Sequence, residues 1–93
     1  MARVRSEGVA RRFGDNLRRV RRREGFTQEE LALRASLHCT EIGKLERGER
    51  VPRIDTLVRL TDSMCVPVDE LLEGINWVPV SCPGPVGEFA VDA

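Results

Sequence analysis

Aromatic residues and histidine are scarce in this 93-residue chain. It contains no tyrosine, one tryptophan, three phenylalanines and a single histidine. The core must therefore be built mainly from leucine, valine, isoleucine and alanine. The chain also lacks the common catalytic motifs: a Ser-His-Asp set, a glycine-rich phosphate loop, and a pair of carboxylates spaced for acid–base catalysis. We therefore expect no enzymatic activity and no cofactor.

Paired cysteines and long apolar runs are missing as well. The three cysteines, Cys39, Cys65 and Cys82, are odd in number, and no two of them have the spacing of a metal or redox site. They predict neither a disulfide framework nor a metal centre, and they favour a reducing, cytoplasmic location. No stretch is apolar enough to span a membrane, and the basic start MARVRSEG lacks the apolar run of a secretory signal.

Positive charge is unevenly distributed, although the net formal charge is zero. Residues 1–53 hold 14 of the 15 basic residues and 8 of the 15 acidic ones, a net charge of +6, and residues 54–93 carry −6. This division is typical of a protein that binds a polyanion on one face. A solvated helix surface with a chance asymmetry gives the same pattern, so charge alone does not decide between the two.

A first helix is predicted by an apolar stripe at intervals of three and four residues, formed by Val9, Phe13, Leu17 and Val20. It ends at Gly25, and it contains Gly14 at a cost of about 1 kcal/mol in helix propensity. Residues 1–8, which precede the helix, are expected to form a flexible basic arm that carries Arg3 and Arg5.

Four shorter helices follow. Thr27 and Glu30 have the spacing of a capping box, which predicts the start of a second helix that breaks near Ser36. A third helix turns Ile42 and Leu45 inward and stops at Gly48. A fourth is expected near residues 54–64 and a fifth near 68–73, with a stop at Gly74. The fourth is expected to bury Ile54, Leu57, Val58, Leu60 and Met64.

Residues 75–93 change in character. They contain three of the five prolines, and two groups of β-forming residues flank a Ser-Cys-Pro-Gly-Pro turn. Trp77 and Phe89 are large apolar groups to leave in water, which favours an extended structure or a β-hairpin over a disordered tail. An isolated hairpin is marginally stable, so this one is expected to pack on the helices or on a second subunit.

The segment QEELALRASLHCTEIGKLER, residues 28–47, resembles the helix-turn-helix of the phage repressor and Cro family, also called the xenobiotic-response-element (XRE) family. The resemblance extends from about residue 9 to residue 74. It implies an all-α, five-helix, lambda-repressor-like DNA-binding domain over residues 9–74, with residues 75–93 as a C-terminal tail. Ala32 provides the small residue that two steeply crossing helices need. A plain helical bundle with a short loop also fits the apolar positions, but not the Thr-Gln start and the Leu-Glu-Arg-Gly ending.

The resemblance also implies roles for individual residues. Gln28 would contact a phosphate and brace the second helix of the motif, whose outward face would lie in the major groove. Cys39, Thr40 and Lys44 would read base edges, and Glu41 would accept a hydrogen bond from cytosine if its carboxylate is paired. Arg47, Arg50 and Arg53 would contact backbone phosphates. The complete set of expected DNA-binding residues is Gln28, His38, Cys39, Thr40, Glu41, Gly43, Lys44, Arg47, Arg50 and Arg53.

Two further implications concern the frame of the motif. Arg21 and Glu46 match a pair that forms a structural ion pair beneath the recognition helix in this family. Ser36 stands in the turn where the family usually has glycine, which predicts some backbone strain there.

One recognition helix reads too few base pairs for genomic specificity, so a homodimer on a palindromic operator is expected. The chain is interpreted as a transcriptional regulator, most simply a repressor, that binds double-stranded DNA. Its expected dimer interface comprises Val68, Leu71, Leu72, Trp77 and Phe89. The alternative is a protein-interaction module, such as an antitoxin or a coactivator-like adaptor, whose C-terminal tail binds a partner protein.

Overall fold

The computed structural model describes residues 2–4, 6–79 and 87–92, which form five helices and one small sheet. The expected helices and the expected C-terminal hairpin are confirmed. The predicted turn at residues 81–85 lies outside the described residues. No helix in the described part of the chain is long and apolar enough to cross a membrane. The helices are α1 (Ser6–Arg23), α2 (Gln28–Ala35), α3 (Cys39–Glu46), α4 (Ile54–Met64) and α5 (Val68–Leu71).

The sheet has three antiparallel strands in the order β1-β3-β2. They are β1 (Ala2–Val4), β2 (Ile75–Val78) and β3 (Glu88–Val91). The expected flexible arm over residues 1–8 therefore differs from the structure, because residues 2–4 pair with β3 and α1 already begins at Ser6. Residues 2–4 form a strand because they pair with the edge of β3. The sequence of the arm alone gives no sign of this distant partner. Arg5 lies outside the described residues.

In the described residues, one apolar core packs against the inward face of α1, as the predicted stripe requires. The inward residues of α2 and α3 complete it together with those of α4 and α5. Its buried members include Phe13, Leu17, Val20, Leu31, Ala32, Ala35, Ile42, Leu45, Leu60, Met64 and Leu71.

The prediction of which side of α4 is buried was partly wrong. Ile54 is 81% exposed and Val58 is about half exposed, although both were predicted to be buried. The buried stripe of α4 runs instead through Thr56, Leu60 and Met64, at intervals of four residues. Ile54 and Val58 lie two residues out of step with that stripe, which places them on the opposite side of the helix. The helix is apolar on both sides, so periodicity alone could not choose between them.

Gly14 lies where α1 and α3 approach most closely. A Cβ atom at this position would lie 2.7 Å from the carbonyl oxygen of Glu46 and closer still to that of Leu45. The glycine therefore lets the backbone of α1 contact the last turn of α3 directly. Its cost in helix propensity is offset by this packing.

The sheet is fastened to α1 by two polar side chains. The buried Asn16 amide donates hydrogen bonds to the carbonyl oxygens of Leu71 and Glu73, each at 2.9 Å. Arg12 donates to the carbonyl oxygens of Glu73, at 3.2 Å, and Asp92, at 2.7 Å. The end of α5 and the end of β3 are thus held by the same face of α1.

Candidate nucleic-acid interface

The helix-turn-helix unit is built from α2, a tight turn and α3. Thr27 accepts a hydrogen bond from the backbone N–H of Glu30 at 3.0 Å, and the Glu30 carboxylate accepts one from the N–H of Thr27 at 2.8 Å. The predicted capping box is therefore confirmed. These bonds, above all the one from the Thr27 backbone, hold the pKa of the Glu30 carboxyl below its usual range.

The turn between α2 and α3 depends on a residue with positive φ. Ser36 has φ 56° and ψ 43°, the left-handed conformation in which the family usually has glycine, and it ends α2 as predicted. The backbone N–H of Leu37 then donates to the carbonyl of Ala32 at 2.9 Å, which turns Leu37 back towards the core. A non-glycine residue in this conformation is strained by about 1 kcal/mol.

A buried ion pair joins α1 to the end of α3. Arg21 Nε lies 2.5 Å from Glu46 Oε2, and a second guanidinium nitrogen lies 3.0 Å from Oε1. The remaining terminal nitrogen of Arg21 donates to the Phe26 carbonyl at 2.8 Å. Both side chains are almost completely buried. The two residues expected to pair beneath the recognition helix are therefore together in the structure.

One amide and one further cation also lie against the Glu46 carboxylate. Gln28 Nε2 donates to Oε1 at 3.0 Å, and Arg18 Nε lies 3.5 Å from the same oxygen. Burial by itself raises the pKa of Glu46. The hydrogen bonds from Arg21 and Gln28, with the positive charges of Arg21 and Arg18, outweigh burial and hold that pKa below its usual range. Gln28 thus braces the recognition helix from the first turn of α2.

The outward face of α3 presents a small set of polar side chains. Thr40 and Lys44 are exposed, four residues apart, and so lie on one side of the helix. Lys44 makes no hydrogen bond or ion pair with any residue in the described part of the chain. Cys39 is half-buried against the core. Gly43, expected to face outward, is instead buried, and a Cβ atom there would lie 3.0 Å from the Arg47 guanidinium.

The arginines that follow α3 are each paired with a nearby carboxylate. Arg50 lies 3.3 Å from Glu41, Arg53 lies 3.2 Å from Asp55, and Arg47 lies 2.5 Å from Glu49. The Arg47 hydrogen bond holds the pKa of Glu49 below its usual range. Exposed ion pairs of this kind contribute at most about 1 kcal/mol. A phosphate can therefore displace the carboxylate from each guanidinium at little cost.

The residues expected at a dimer interface do not all reach the surface. Leu71 is completely buried, because α5 packs this side chain into the core, and it is excluded from any interface. Val68 and Leu72 are partly exposed. Trp77, which is 54% exposed, pairs across the sheet with Phe89 in an edge-on geometry, with ring centroids 5.1 Å apart.

Three structural roles in the site were not predicted from the sequence, although His38 and Gly14 were both named there. His38 caps α3, because its Nδ1 accepts a hydrogen bond from the Thr40 backbone N–H at 3.3 Å. Arg18 reaches the carbonyl of Glu46 at 3.4 Å as well as its carboxylate. Gly14 was interpreted as a cost, but it permits the contact between α1 and α3. A glycine inside a strongly amphipathic helix was the available signal for such a contact.

Comparisons with known proteins agree with this geometry. Residues 12–73 match the family described as Helix-turn-helix domain (HTH_31). The chain is 36% identical over 66 residues to an uncharacterized HTH-type transcriptional regulator, y4dJ, of Sinorhizobium fredii, covering 71% of this chain and 86% of the relative. It is 32% identical to the control protein C.BamHI of Bacillus amyloliquefaciens over 62 residues, covering 66% and 76%.

A solved structure agrees as well. The restriction-modification controller protein C.AhdI of Aeromonas hydrophila superimposes with a TM-score of 0.64 at 31% identity, covering 67% of this chain and 94% of the controller. A helix-turn-helix held on a five-helix frame, with an exposed polar face on its second helix, defines a DNA-binding protein. The chain belongs to the phage repressor and Cro (XRE) family of helix-turn-helix proteins, and it is a DNA-binding regulator of transcription.

Proposed function

We propose that this regulator binds a palindromic operator as a homodimer, with α3 of each subunit in the major groove, and that it acts as a repressor. The observation that carries the proposal is the exposed side of α3, which bears Thr40 and Lys44. The opposite side of this helix is held in place by the hydrogen bonds that Arg21 and Gln28 donate to the buried Glu46 carboxylate. Free thiols at Cys39 and Cys65 are in keeping with a reducing cytoplasm.

Within this proposal the side chains divide into two groups. Thr40 and Lys44 read base edges, with Cys39 and His38 at the rim of the same surface. Lys44 carries only donors, which suits the N7 and O6 acceptors of guanine. The phosphate contacts come from the paired arginines after α3 and from the start of α2, namely Gln28, Arg47, Arg50 and Arg53. Glu41 is ion-paired with Arg50. Its carboxylate can accept a hydrogen bond from cytosine only after Arg50 has moved to a phosphate.

The dimer is proposed to form through Val68 and Leu72 of the α5 region and the aromatic pair Trp77 and Phe89. These apolar groups are exposed in a single subunit, and a second copy would remove them from water. Arg12 ties the end of β3 to α1, so the hairpin offers a fixed surface to a second subunit. A fixed surface suits a symmetric interface better than a tail that folds on a partner protein.

Selection of bound sequences from a random duplex library, at two salt concentrations, tests the proposal. Wild-type protein should enrich a palindrome whose half-sites lie about one helical turn apart, with affinity that falls steeply as salt rises. Lys44→Ala should relax the preference at one position of each half-site. Arg19→Ala is the matched control, because Arg19 lies beside α5 and pairs with Glu73 at 2.7 Å. It should leave the consensus unchanged.

Two results would count against the proposal. The absence of an enriched palindrome would remove the dimeric operator. Relaxation of the consensus by Arg19→Ala, with none by Lys44→Ala, would place the specificity element outside α3.

A further inference from the structure

The start of the recognition helix contains an unusual arrangement of His38 and Thr40. Nδ1 of the His38 imidazole lies 3.3 Å from the backbone nitrogen of Thr40 and 2.8 Å from its hydroxyl oxygen. The first of these contacts is the N-cap of α3, and His38 has the extended backbone, φ −79° and ψ 144°, that a cap residue adopts. One ring nitrogen therefore meets two groups of the same residue.

The backbone contact determines which ring nitrogen carries the proton. The N–H of Thr40 can only donate, so a proton on Nδ1 would set two N–H groups against each other at 3.3 Å. Nδ1 is therefore the accepting nitrogen, and the ring N–H lies on Nε2. Because Nδ1 then has only a lone pair to offer, the contact at 2.8 Å requires the Thr40 hydroxyl to be the donor.

This assignment leaves Thr40 with a defined hydrogen-bonding polarity. A hydroxyl has one proton to donate and two lone pairs that accept. Since the proton is directed to His38, the exposed side of Oγ1 presents only lone pairs. In the major groove the complementary donors are the exocyclic amino groups, adenine N6 and cytosine N4, whereas N7 of the purines, guanine O6 and thymine O4 accept.

We propose that Thr40 reads an exocyclic amino group of adenine or cytosine through Oγ1, and that His38 is the positioning residue that sets this polarity. The inference rests on the proposed placement of α3 in the major groove. Lys44, four residues further along the same side of the helix, can only donate. The two neighbouring side chains therefore read base groups of opposite polarity.

Base analogues in a synthetic operator test the proposal directly. The base pair that Thr40 faces is identified as the position whose preference changes in a library selection with Thr40→Val. At that pair, adenine is replaced by purine, or cytosine by 2-pyrimidinone, to delete the amino group. A second duplex carries the 7-deaza form of the purine, which deletes N7. The affinity of wild-type protein and of Thr40→Val is then measured on all three duplexes.

Deletion of the amino group should weaken binding of the wild-type protein about tenfold and leave Thr40→Val within about twofold. Deletion of N7 should affect the two proteins equally. Comparing the two proteins on the same duplex removes any effect of the analogue on base pairing itself. Thr40→Ser retains the hydroxyl and should behave like the wild type towards the amino deletion, which separates the hydrogen bond from the threonine methyl group.

His38→Gly tests the positioning role. Glycine is tolerated at an N-cap at a cost of only a few tenths of a kcal/mol relative to the better caps, so α3 should still form. Without the Nδ1 acceptor the Thr40 hydroxyl is free to rotate and donate. The discrimination between the amino-bearing duplex and the amino-deleted duplex should therefore fall to within about threefold, whatever the overall affinity.

Three results would overturn the inference. A loss of wild-type affinity on N7 deletion that depends on Thr40, with amino deletion tolerated, would mean that Thr40 donates. Equal behaviour of wild type and Thr40→Val on every duplex would mean that Thr40 reads no amino group. Full discrimination by His38→Gly would remove the role of His38. If the wild type enriches no palindrome at all, the proposed function itself fails, and the wild-type selection alone shows this.

Discussion

The two sides of α1 support two regions of the molecule by different means. Gly14, Arg18 and Arg21 face the recognition helix α3. There the backbone of α1 packs directly against the backbone of α3, and the buried Glu46 carboxylate is contacted by several donor side chains. On the opposite side a second stripe faces α5 and the sheet. It consists of Arg12, Asn16, Arg19 and Arg23, whose partners are main-chain carbonyls and the exposed carboxylates of Glu70 and Glu73.

The two regions should differ in how far they tolerate amino-acid substitutions. Arg21 and Glu46 on the recognition side are almost completely buried, so losing one partner leaves the charge of the other poorly compensated. The sheet side is held by neutral hydrogen bonds and exposed ion pairs, which are individually weaker. We therefore expect substitutions on the recognition side to affect the whole fold, and those on the sheet side to loosen the sheet locally.

The largest effect is expected from Glu46→Ala. It leaves the Arg21 guanidinium buried without its partner, which should lower the free energy of unfolding by about 3–5 kcal/mol and weaken DNA binding. Urea denaturation measures the first effect. Glu49→Ala, which removes an exposed carboxylate paired with Arg47, is the control and should leave stability nearly unchanged. An unchanged urea midpoint in Glu46→Ala would refute the role of the pair.

The same carboxylate predicts a dependence on pH. Because the pKa of Glu46 is lower in the folded chain than in the unfolded one, its stabilisation is complete above the unfolded pKa of about 4.3 and is lost as pH falls through the folded pKa. The difference in stability between wild type and Glu46→Gln should therefore shrink below about pH 4. A difference that stays constant down to pH 2 would contradict the lowered pKa.

Gly14→Ala should come next. The added methyl group would collide with the carbonyl oxygens of Leu45 and Glu46, so α1 and α3 must separate. We expect a loss of about 1–3 kcal/mol despite the better helix propensity of alanine. Thermal melts measure the loss, and Asp15→Ala, at the exposed neighbouring position of α1, should be nearly neutral in them. Stabilisation by Gly14→Ala would show that the helices do not approach this closely.

Asn16→Ala tests the other side of α1. It removes the side-chain donor from the buried Leu71 carbonyl, at a cost of about 1–3 kcal/mol, and leaves the Glu73 carbonyl with Arg12 as its side-chain donor. Hydrogen exchange should show faster exchange in β2 and β3, with α2 and α3 protected as in the wild type. A uniform loss of protection over the whole chain would mean that the two regions do not respond separately.

The smallest effect is expected at the turn. Ser36→Gly removes a side chain from a left-handed residue, which should stabilise the fold by about 0.5–1 kcal/mol after the entropy of glycine is taken into account. Cys65→Gly is a parallel case, because Cys65 ends α4 with φ 58°. A lower melting temperature for both variants would show that neither position is strained.

The same contrast explains what the sequence could predict. The capping box at Thr27, the pairing of Arg21 with Glu46 and the break at Ser36 are carried by side chains in recognisable positions, and all three are present. The attachment of the sheet could not be predicted, because Arg12 and Asn16 bind main-chain carbonyls, which every residue has. The exposure of Ile54 and Val58 was missed because α4 is apolar on two sides.

The site was predictable to a similar extent. The stripe of Thr40 and Lys44 follows from helical spacing and is exposed. The burial of Gly43 could not be foreseen, because it depends on how the Arg47 side chain folds back over α3. The cap by His38 was hidden because histidine is an uncommon residue at this position. Leu71 lies in the core because one side of a four-residue helix must face inward.

If α3 reads the operator and the α5 and sheet region joins two subunits, substitutions in the two regions should have separate effects. Sedimentation of the wild type, Lys44→Ala and Trp77→Ala, with and without a selected palindromic duplex, tests both parts together. We expect Lys44→Ala to remain a dimer and to lose its preference only at the one position of each half-site that Lys44 reads, so that a duplex substituted there binds as well as the selected palindrome. We expect Trp77→Ala to dissociate into monomers that keep the half-site preference at lower affinity. A dimer unaffected by Trp77→Ala, or a base preference unaffected by Lys44→Ala, would contradict this division between the two regions.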